Sequence, residues 1–221
     1  MKMKQLLPIA LLAVMMTPAV FATESGTASY DETVTIDVPD FIRITPATGI
    51  KLTAEDGDFS IDAGYTTMTF SSPLIFGYDV VANKHSQSLY LTATCPTADG
   101  SLNALGNATP TKPIIVFANT ATDSQPDTAS ITSALSATDA KTNPNAIAIQ
   151  FTGVIKPEEG SGAAAVTPAK SGTDKIELPI TNGKYNLMYT GATTNVAKTF
   201  STKDESGTYQ AVVTLANYIN P

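Results

Sequence analysis

The side chains able to do nucleophilic or acid–base chemistry are few in this 221-residue chain. His85 is the only histidine, so a Ser/His/Asp or Cys/His arrangement would have to use it. It lies in a polar turn, and the only cysteine, Cys95, follows ten residues later on the next predicted strand, which should hold the two apart. No G-x-S-x-G nucleophile elbow occurs. We therefore predict an exposed turn histidine, no catalytic residues and no enzyme activity, and the same count argues against histidine-based zinc sites.

Cys95 cannot form an internal disulfide, because the chain has no second cysteine. It ends an alternating run in which Leu89, Leu91 and Ala93 share its parity, so the pattern predicts that it faces the core. A thiol in that position behaves as a small hydrophobic side chain. An intermolecular disulfide and a catalytic thiol are the alternatives.

Paired carboxylates are the remaining catalytic option, because a glycoside hydrolase needs only two. The candidates are Glu55–Asp58, Glu158–Glu159 and Asp204–Glu205. All three lie in polar, turn-like segments, and the chain has no tryptophan to stack against a sugar ring. Glu55–Asp58 also lacks the spacing of the helix–loop–helix calcium motif. We interpret these groups as solvated loop charges and expect neither a metal nor a cofactor.

The elements that must position these residues are β-strands, because period-2 alternation dominates the sequence. Turns rich in Gly, Asn and Asp separate the alternating segments, and Asn182-Gly183 is the strongest hairpin signal among them. The pattern predicts an all-β fold, an immunoglobulin-like β-sandwich of roughly seven to ten strands with two long loop insertions. The alternating segments are Val34–Ile44, Phe59–Ile61, Thr67–Phe70, Leu74–Val81, Leu89–Cys95, Ile114–Phe117, Ala146–Val154, Lys175–Ile180, Lys184–Tyr189 and Thr208–Tyr218.

The two insertions interrupt the alternation at residues 119–144 and 156–173. In the first, Ile131, Ala134 and Leu135 have helical spacing, which predicts one or two turns of helix. The second is rich in Gly, Ala and Glu and is typical of a surface loop. Because neither resembles a linker and no internal repeat is present, residues 23–221 are predicted to form a single domain.

Residues 1–22 have the pattern of a secretory signal peptide. Lys2 and Lys4 supply the positive region, Leu6–Met16 the apolar region, and Val20-Phe21-Ala22 a cleavage site. The apolar run contains Pro8 and is too short and broken for a bilayer span. We therefore expect export, with the periplasm in transit and the cell surface, as part of a fimbrium, or the medium as destination.

The charge of the chain argues against two classes of partner. Its formal net charge of −7 becomes −9 when the two lysines of the signal peptide are removed. An acidic chain with no basic cluster is a poor ligand for nucleic acid or an anionic membrane. We expect no nucleic-acid partner and no membrane span.

The two ends of the predicted domain carry a family resemblance. Ser25–Ile44 alternates nearly throughout, and the last strand, within Ser206–Leu215, carries G-x-Y-x-x-x-V-x-L. With Thr33–Pro39, Tyr78–Asn83 and Leu89–Ala93, these segments resemble bacterial fimbrial subunits of immunoglobulin-like fold, most closely the cysteine-poor, alpha-type colonisation-factor pilins. The resemblance covers about a third of the chain.

The resemblance implies assembly by strand donation. An incomplete sandwich leaves an apolar groove and an unpaired edge, and a strand from a neighbour satisfies both. Residues 23–39 would be the donor, with Val34, Ile36 and Val38 as its apolar side chains. The alternative is an ordinary first strand of the same domain. The residues implied at the edge of the acceptor groove are Tyr209, Ala211, Val213 and Leu215.

The leading hypothesis is therefore an exported, non-enzymatic structural or adhesive subunit of a bacterial surface fibre or matrix. Its expected partners are further copies of the chain or other fibre subunits, together with a periplasmic chaperone. The alternative is a secreted β-sandwich module that binds a carbohydrate or calcium. A hydrolase built on a carboxylate pair is the third hypothesis.

Overall fold

The structure, a computed structural model, describes residues 33–50, 52–53, 59–61, 67–70, 72–135, 145–170, 174–196, 200–201 and 205–218 of the chain. The predicted signal peptide lies outside these residues. The contacts divide the chain into one unit that ends at Val38 and a second that begins at Pro39. All of the described strands belong to the second unit.

Fifteen strands are formed by the described residues, more than the seven to ten predicted, because several are only two or three residues long. The all-β prediction is confirmed, with two antiparallel sheets in a sandwich-like arrangement. The strands are β1 (Ile42–Pro46), β2 (Phe59–Ile61), β3 (Thr67–Phe70), β4 (Leu74–Ala82), β5 (Gln87–Thr97), β6 (Gly100–Asn103), β7 (Leu105–Thr109), β8 (Lys112–Asn119), β9 (Ala146–Pro157), β10 (Ala169–Lys170), β11 (Ile176–Ile180), β12 (Gly183–Val196), β13 (Phe200–Ser201), β14 (Tyr209–Gln210) and β15 (Val212–Ala216).

The larger sheet has the order β1-β4-β12-β9-β8-β14, and β7 also pairs with β8. Its long central strands are in antiparallel register, so Phe76 of β4 lies opposite Tyr189 of β12, which lies opposite Gly153 of β9. The rings of Phe76 and Tyr189 stack with centroids 4.9 Å apart, and Phe151 meets Phe76 edge-on at 5.1 Å. An aromatic cluster therefore forms the middle of the face that this sheet turns toward the core.

The smaller sheet has the order β10-β11-β5-β15, and β6 also pairs with β5. Alternation in β5 buries Leu89, Leu91, Ala93 and Cys95, each 0–1% exposed. These side chains pack with the aromatic cluster in one hydrophobic core. Burial of each large apolar side chain contributes roughly 1.5–3 kcal/mol, so the alternation itself accounts for much of the stability of the sandwich. A separate three-stranded sheet has the order β13-β3-β2.

A helix, α1 (Thr128–Leu135), confirms the helical spacing found in the first insertion. Ile131 and Ala134 are fully buried against β8 and β9, on the face of the larger sheet that points away from the sandwich core. A Cβ on Gly106 would lie 2.9 Å from the main-chain oxygen of Leu135, so a glycine in β7 lets the helix approach. The second insertion is irregular from Glu158 to Pro168, as a surface loop should be.

The hairpin predicted at Asn182-Gly183 is wrong. β11 pairs with β5 in the smaller sheet and β12 pairs with β4 and β9 in the larger one, so the turn carries the chain from one sheet to the other. The Tyr185 hydroxyl holds this crossing, since it accepts from the Thr181 main-chain N–H at 3.1 Å and donates to the Thr181 carbonyl at 3.2 Å. Gly183 has a φ of +136°, a conformation that glycine adopts readily. Here it serves the crossing between the two sheets instead of a hairpin turn.

The alternation from Val34 to Ile44 does not form one continuous strand, because β1 begins only at Ile42. Just before it, Asn83 clamps the chain: its side-chain amide donates to the Pro39 carbonyl at 2.8 Å, and its oxygen accepts from the Phe41 N–H at 2.7 Å. Residues 33–38 are described and lie outside any strand.

Candidate functional site

β15 has an open edge. It pairs with β5 on one side, and no other strand of the described residues pairs with it. Val213 lies opposite Ala93, whose carbonyl accepts from the Ala104 N–H at 2.8 Å on the opposite side of β5. Val213 and Ala93 are therefore a non-hydrogen-bonded pair, and the alternation of antiparallel pairing makes Leu215 and Leu91 another. Val213 and Leu215 thus direct their main-chain N–H and C=O groups to the open edge.

An apolar groove of about 270 Å³ lies beside this edge, between β15 and the larger sheet. Three rings from three different strands, Phe76, Phe117 and Phe151, line it together with the inward side chains of Ala211 and Val213. Tyr78 is the only titratable residue in the lining, so the groove has no acid–base pair and suits apolar side chains. The complete lining is Pro46, Ile50, Leu52, Leu74, Ile75, Phe76, Gly77, Tyr78, Phe117, Phe151, Ala211 and Val213.

Tyr78 connects the two sheets across this groove. Its hydroxyl donates to the Val213 carbonyl at 3.1 Å, which satisfies one acceptor of the open edge. Burial raises the pKa of Tyr78 to about 12, so the hydroxyl stays protonated and remains a donor at neutral pH. A half-buried polar side chain thus takes the position that a neighbouring strand's N–H would take.

The three predicted donor side chains are exposed. Val34, Ile36 and Val38 are 80%, 82% and 73% exposed, and they alternate along residues that form no strand. Single exposed apolar side chains are ordinary, whereas three at alternate positions of one short segment form a surface that water solvates poorly.

The predicted acceptor residues are divided between two sheets. Ala211 and Val213 line the groove, and Leu215, 7% exposed, continues the same inward row. Tyr209 belongs to β14, which pairs with β8 in the larger sheet, and its hydroxyl donates to the Glu205 carbonyl at 2.8 Å. The chain therefore crosses between sheets at Ala211, and Tyr209 holds the turn before the crossing.

Sequence reasoning missed the aromatic residues of the groove and the role of Tyr78. The available signal was the parity of β4, which places Phe76 and Tyr78 on the same face as the buried Leu74 and Val80. Nothing in that parity predicts which inward side chains lie beneath an open edge.

The two candidate catalytic side chains, Cys95 and His85, lie in different environments, one buried and one exposed. Cys95 is 1% exposed, which confirms the predicted core position, and burial raises the pKa of its thiol to about 11. A thiol held protonated in this way is a poor nucleophile. His85 lies exposed in the bend between β4 and β5, as predicted.

The candidate carboxylates occupy the surface where they are described. Glu158 pairs with Lys184 at 3.4 Å, both more than half exposed, and Glu205 accepts a hydrogen bond from the hydroxyl of Ser124. Asp204 and the whole acidic turn Glu55–Asp58 lie outside the described residues. Across the part of the chain that is described, no group of three or more His, Cys, Asp or Glu side chains is placed to hold a metal ion.

The fold and the groove define an all-β sandwich with an open edge strand. No protein-family model, curated protein or solved structure matches the chain. None of the helices in the described ranges is long and apolar enough to cross a membrane.

Proposed function

We propose that the protein is an exported, non-enzymatic structural or adhesive subunit of a bacterial surface fibre or matrix. It assembles when residues 33–38 of one copy join the open edge of β15 in the next copy. The observation that carries the proposal is the coexistence of three exposed, alternating apolar side chains with an apolar groove beside an open edge. The resemblance to fimbrial subunits points the same way.

The spacings of donor and acceptor agree. Alternate residues of a strand recur every ~6.6–6.8 Å, so Val34 to Val38 spans about 13 Å, as does Ala211 to Leu215. A segment paired with Val213 and Leu215 would place its three apolar side chains over Phe76 and its aromatic neighbours. Its main-chain groups would complete the hydrogen bonds of the edge.

The free energy gained by side-chain burial is of the same order as the cost of association. Three aliphatic side chains contribute roughly 5–9 kcal/mol when buried, at about 1.5–3 kcal/mol each. Association costs roughly 4–15 kcal/mol in lost translational and rotational freedom. The main-chain hydrogen bonds of the added strand add to the burial term, and we expect assembly to depend on protein concentration and on the donor adopting an extended conformation.

The test compares two double variants of the chain from Thr23 to Pro221 by light scattering and electron microscopy. Val34→Asp/Ile36→Asp places charge on the donor side chains, whereas Thr33→Asp/Thr35→Asp adds the same charge on the opposite parity. We expect the unmodified chain and the threonine variant to form fibres, and the Val34/Ile36 variant to stay monomeric and folded. Monomers in all three cases would refute strand donation, and fibres in all three would assign assembly to another surface.

Export and chaperone binding are separate parts of the proposal. Amino-terminal sequencing of the protein recovered from the periplasm or medium should begin at Thr23. A periplasmic chaperone would cover the same groove before assembly, so the Val34→Asp/Ile36→Asp variant should still be captured with it. Recovery of the uncleaved chain from the cytoplasm would contradict export.

A further inference from the structure

The outer face of the smaller sheet carries a second depression, of about 360 Å³. Its lining differs from that of the groove, because it combines two tyrosines with hydroxyl, amide and carboxylate side chains. Tyr90 and Tyr218 supply the rings, and Asn103 and Asp174 supply the amide and the carboxylate. The threonines that line it are Thr92, Thr94 and Thr214.

We propose that this depression is a carbohydrate-binding site that takes a neutral pyranose. The ring face of a pyranose is lined by C–H groups that pack on an aromatic side chain, and its rim carries hydroxyls that both donate and accept hydrogen bonds. Threonine hydroxyls likewise donate and accept, whereas the Asn103 amide already pairs with the main chain of Leu105. A depression of this volume lies within the range of ~300–1,000 Å³ typical of small-molecule sites.

The register of the sheet arranges these side chains in rows. Thr92 of β5 lies opposite Thr214 of β15, and Thr94 lies opposite Asn103 of β6. Tyr90, two residues before Thr92, is on the same face. The polar groups therefore form one patch beside the ring of Tyr90. The opposite face of the strands that carry them packs in the hydrophobic core.

The two tyrosines differ in how they are held. Tyr90 is half-buried, and the ammonium group of Lys175 lies 5.8 Å from its ring centroid, which restrains the ring. Tyr218 is 62% exposed, a large aromatic side chain left in water beside the depression. A ligand with one C–H face would cover such a ring, whereas a lipid or apolar peptide would leave the threonine hydroxyls without partners.

This site is independent of strand donation, because it is formed by the side chains on the opposite face of β15. Val213 and Leu215 point into the core, and Thr214 and Ala216 line the outer depression. Sugar binding and fibre assembly can therefore be impaired separately.

The test is a titration of the isotope-labelled chain from Thr23 to Pro221, carrying Val34→Asp/Ile36→Asp to keep it monomeric. The probes are the methyl glycosides of glucose, galactose, mannose and N-acetylglucosamine, followed in amide NMR spectra. We expect at least one to shift the resonances of Tyr90, Thr92 and Thr214. Tyr218→Ala should weaken that binding at least tenfold, whereas Phe41→Ala, which removes an exposed ring elsewhere, should leave it unchanged.

Two outcomes would overturn the proposal. One is the absence of shifts with all four glycosides at ~20 mM, well above a weak dissociation constant of ~1 mM. The other is a Tyr218→Ala variant with unchanged affinity. Shifts of the same resonances on protein dilution, without sugar, would instead assign this face to contact between copies.

Discussion

The hydroxyl of Tyr78 in β4 donates a hydrogen bond to the main-chain carbonyl of Val213 in β15, 3.1 Å away and in the other sheet. That carbonyl belongs to the open edge, so Tyr78 holds the sandwich together at the position where strand addition would occur. A joining strand has to replace this hydrogen bond with one of its own. Tyr78 therefore opposes assembly in proportion to the strength of that bond.

Tyr78→Phe should accelerate fibre growth roughly two- to tenfold, because a hydrogen bond contributes a net ~0.5–1.5 kcal/mol. The ring stays in the groove while the Val213 carbonyl becomes available. The measurement is the elongation rate by light scattering at matched protein concentration. Tyr90→Phe, a ring on the outer face of the smaller sheet, serves as the control and should elongate at the unmodified rate. A slower Tyr78→Phe variant would show that the hydroxyl assists assembly instead.

The free energy of unfolding should fall steeply at alkaline pH. Burial raises the pKa of Tyr78 from 10.0 to about 12, and burial also raises that of Tyr189. Since the folded state binds these protons more tightly than the unfolded state, the contribution is fully present below pH 10.0 and is lost as pH rises through about 12. Tyr78 alone accounts for about 2–3 kcal/mol. Urea unfolding from pH 8 upward measures the loss, and Tyr78→Phe should reduce it.

Gly183→Ala should destabilise the crossing between sheets. The residue has a φ of +136°, and an added Cβ would lie 2.5 Å from the Cβ of Ala163. The matched control is Gly160→Ala, whose φ is +75° with no heavy atom within 4 Å of the new carbon. Both variants incur left-handed strain, and only the first incurs overlap, so it should cost ~1–3 kcal/mol more. Equal urea midpoints would show that Ala163 moves aside without cost.

Asn83→Ala should loosen the start of β1. It removes the hydrogen bonds to the Pro39 carbonyl and from the Phe41 N–H, at 2.8 and 2.7 Å. We expect a loss of ~1–2 kcal/mol and faster hydrogen exchange at Phe41. Lys84→Ala is the control, because its ion pair with Asp40 is exposed and surface pairs contribute ~0–1 kcal/mol. Unchanged exchange at Phe41 in the Asn83 variant would contradict the clamp.

Local alternation was sufficient to predict β5, β11 and β15 of the smaller sheet and the inward residues of β5, whereas β6 and β10 lie outside the predicted strands. The parity of β5 predicts correctly which of its side chains are buried: Leu89, Leu91, Ala93 and Cys95. One face of a strand packs in the core and the other does not, so apolar residues recur at every second position. Helical spacing located α1 for the same reason. The exposed row of Val34, Ile36 and Val38 is visible in the sequence as alternation, but alternation does not distinguish a buried face from an exposed one.

Only the tertiary structure decided which strands meet. Asn182-Gly183 predicts a hairpin, yet β11 and β12 enter different sheets, since core packing outweighs the preference of a two-residue turn. Tyr78 and Val213 are 135 residues apart, and no periodicity links them. The groove and the outer depression both depend on β15 lying beside β5, a pairing between distant segments. Sequence patterns report the environment of each residue, whereas pairing depends on the free energy of the whole core.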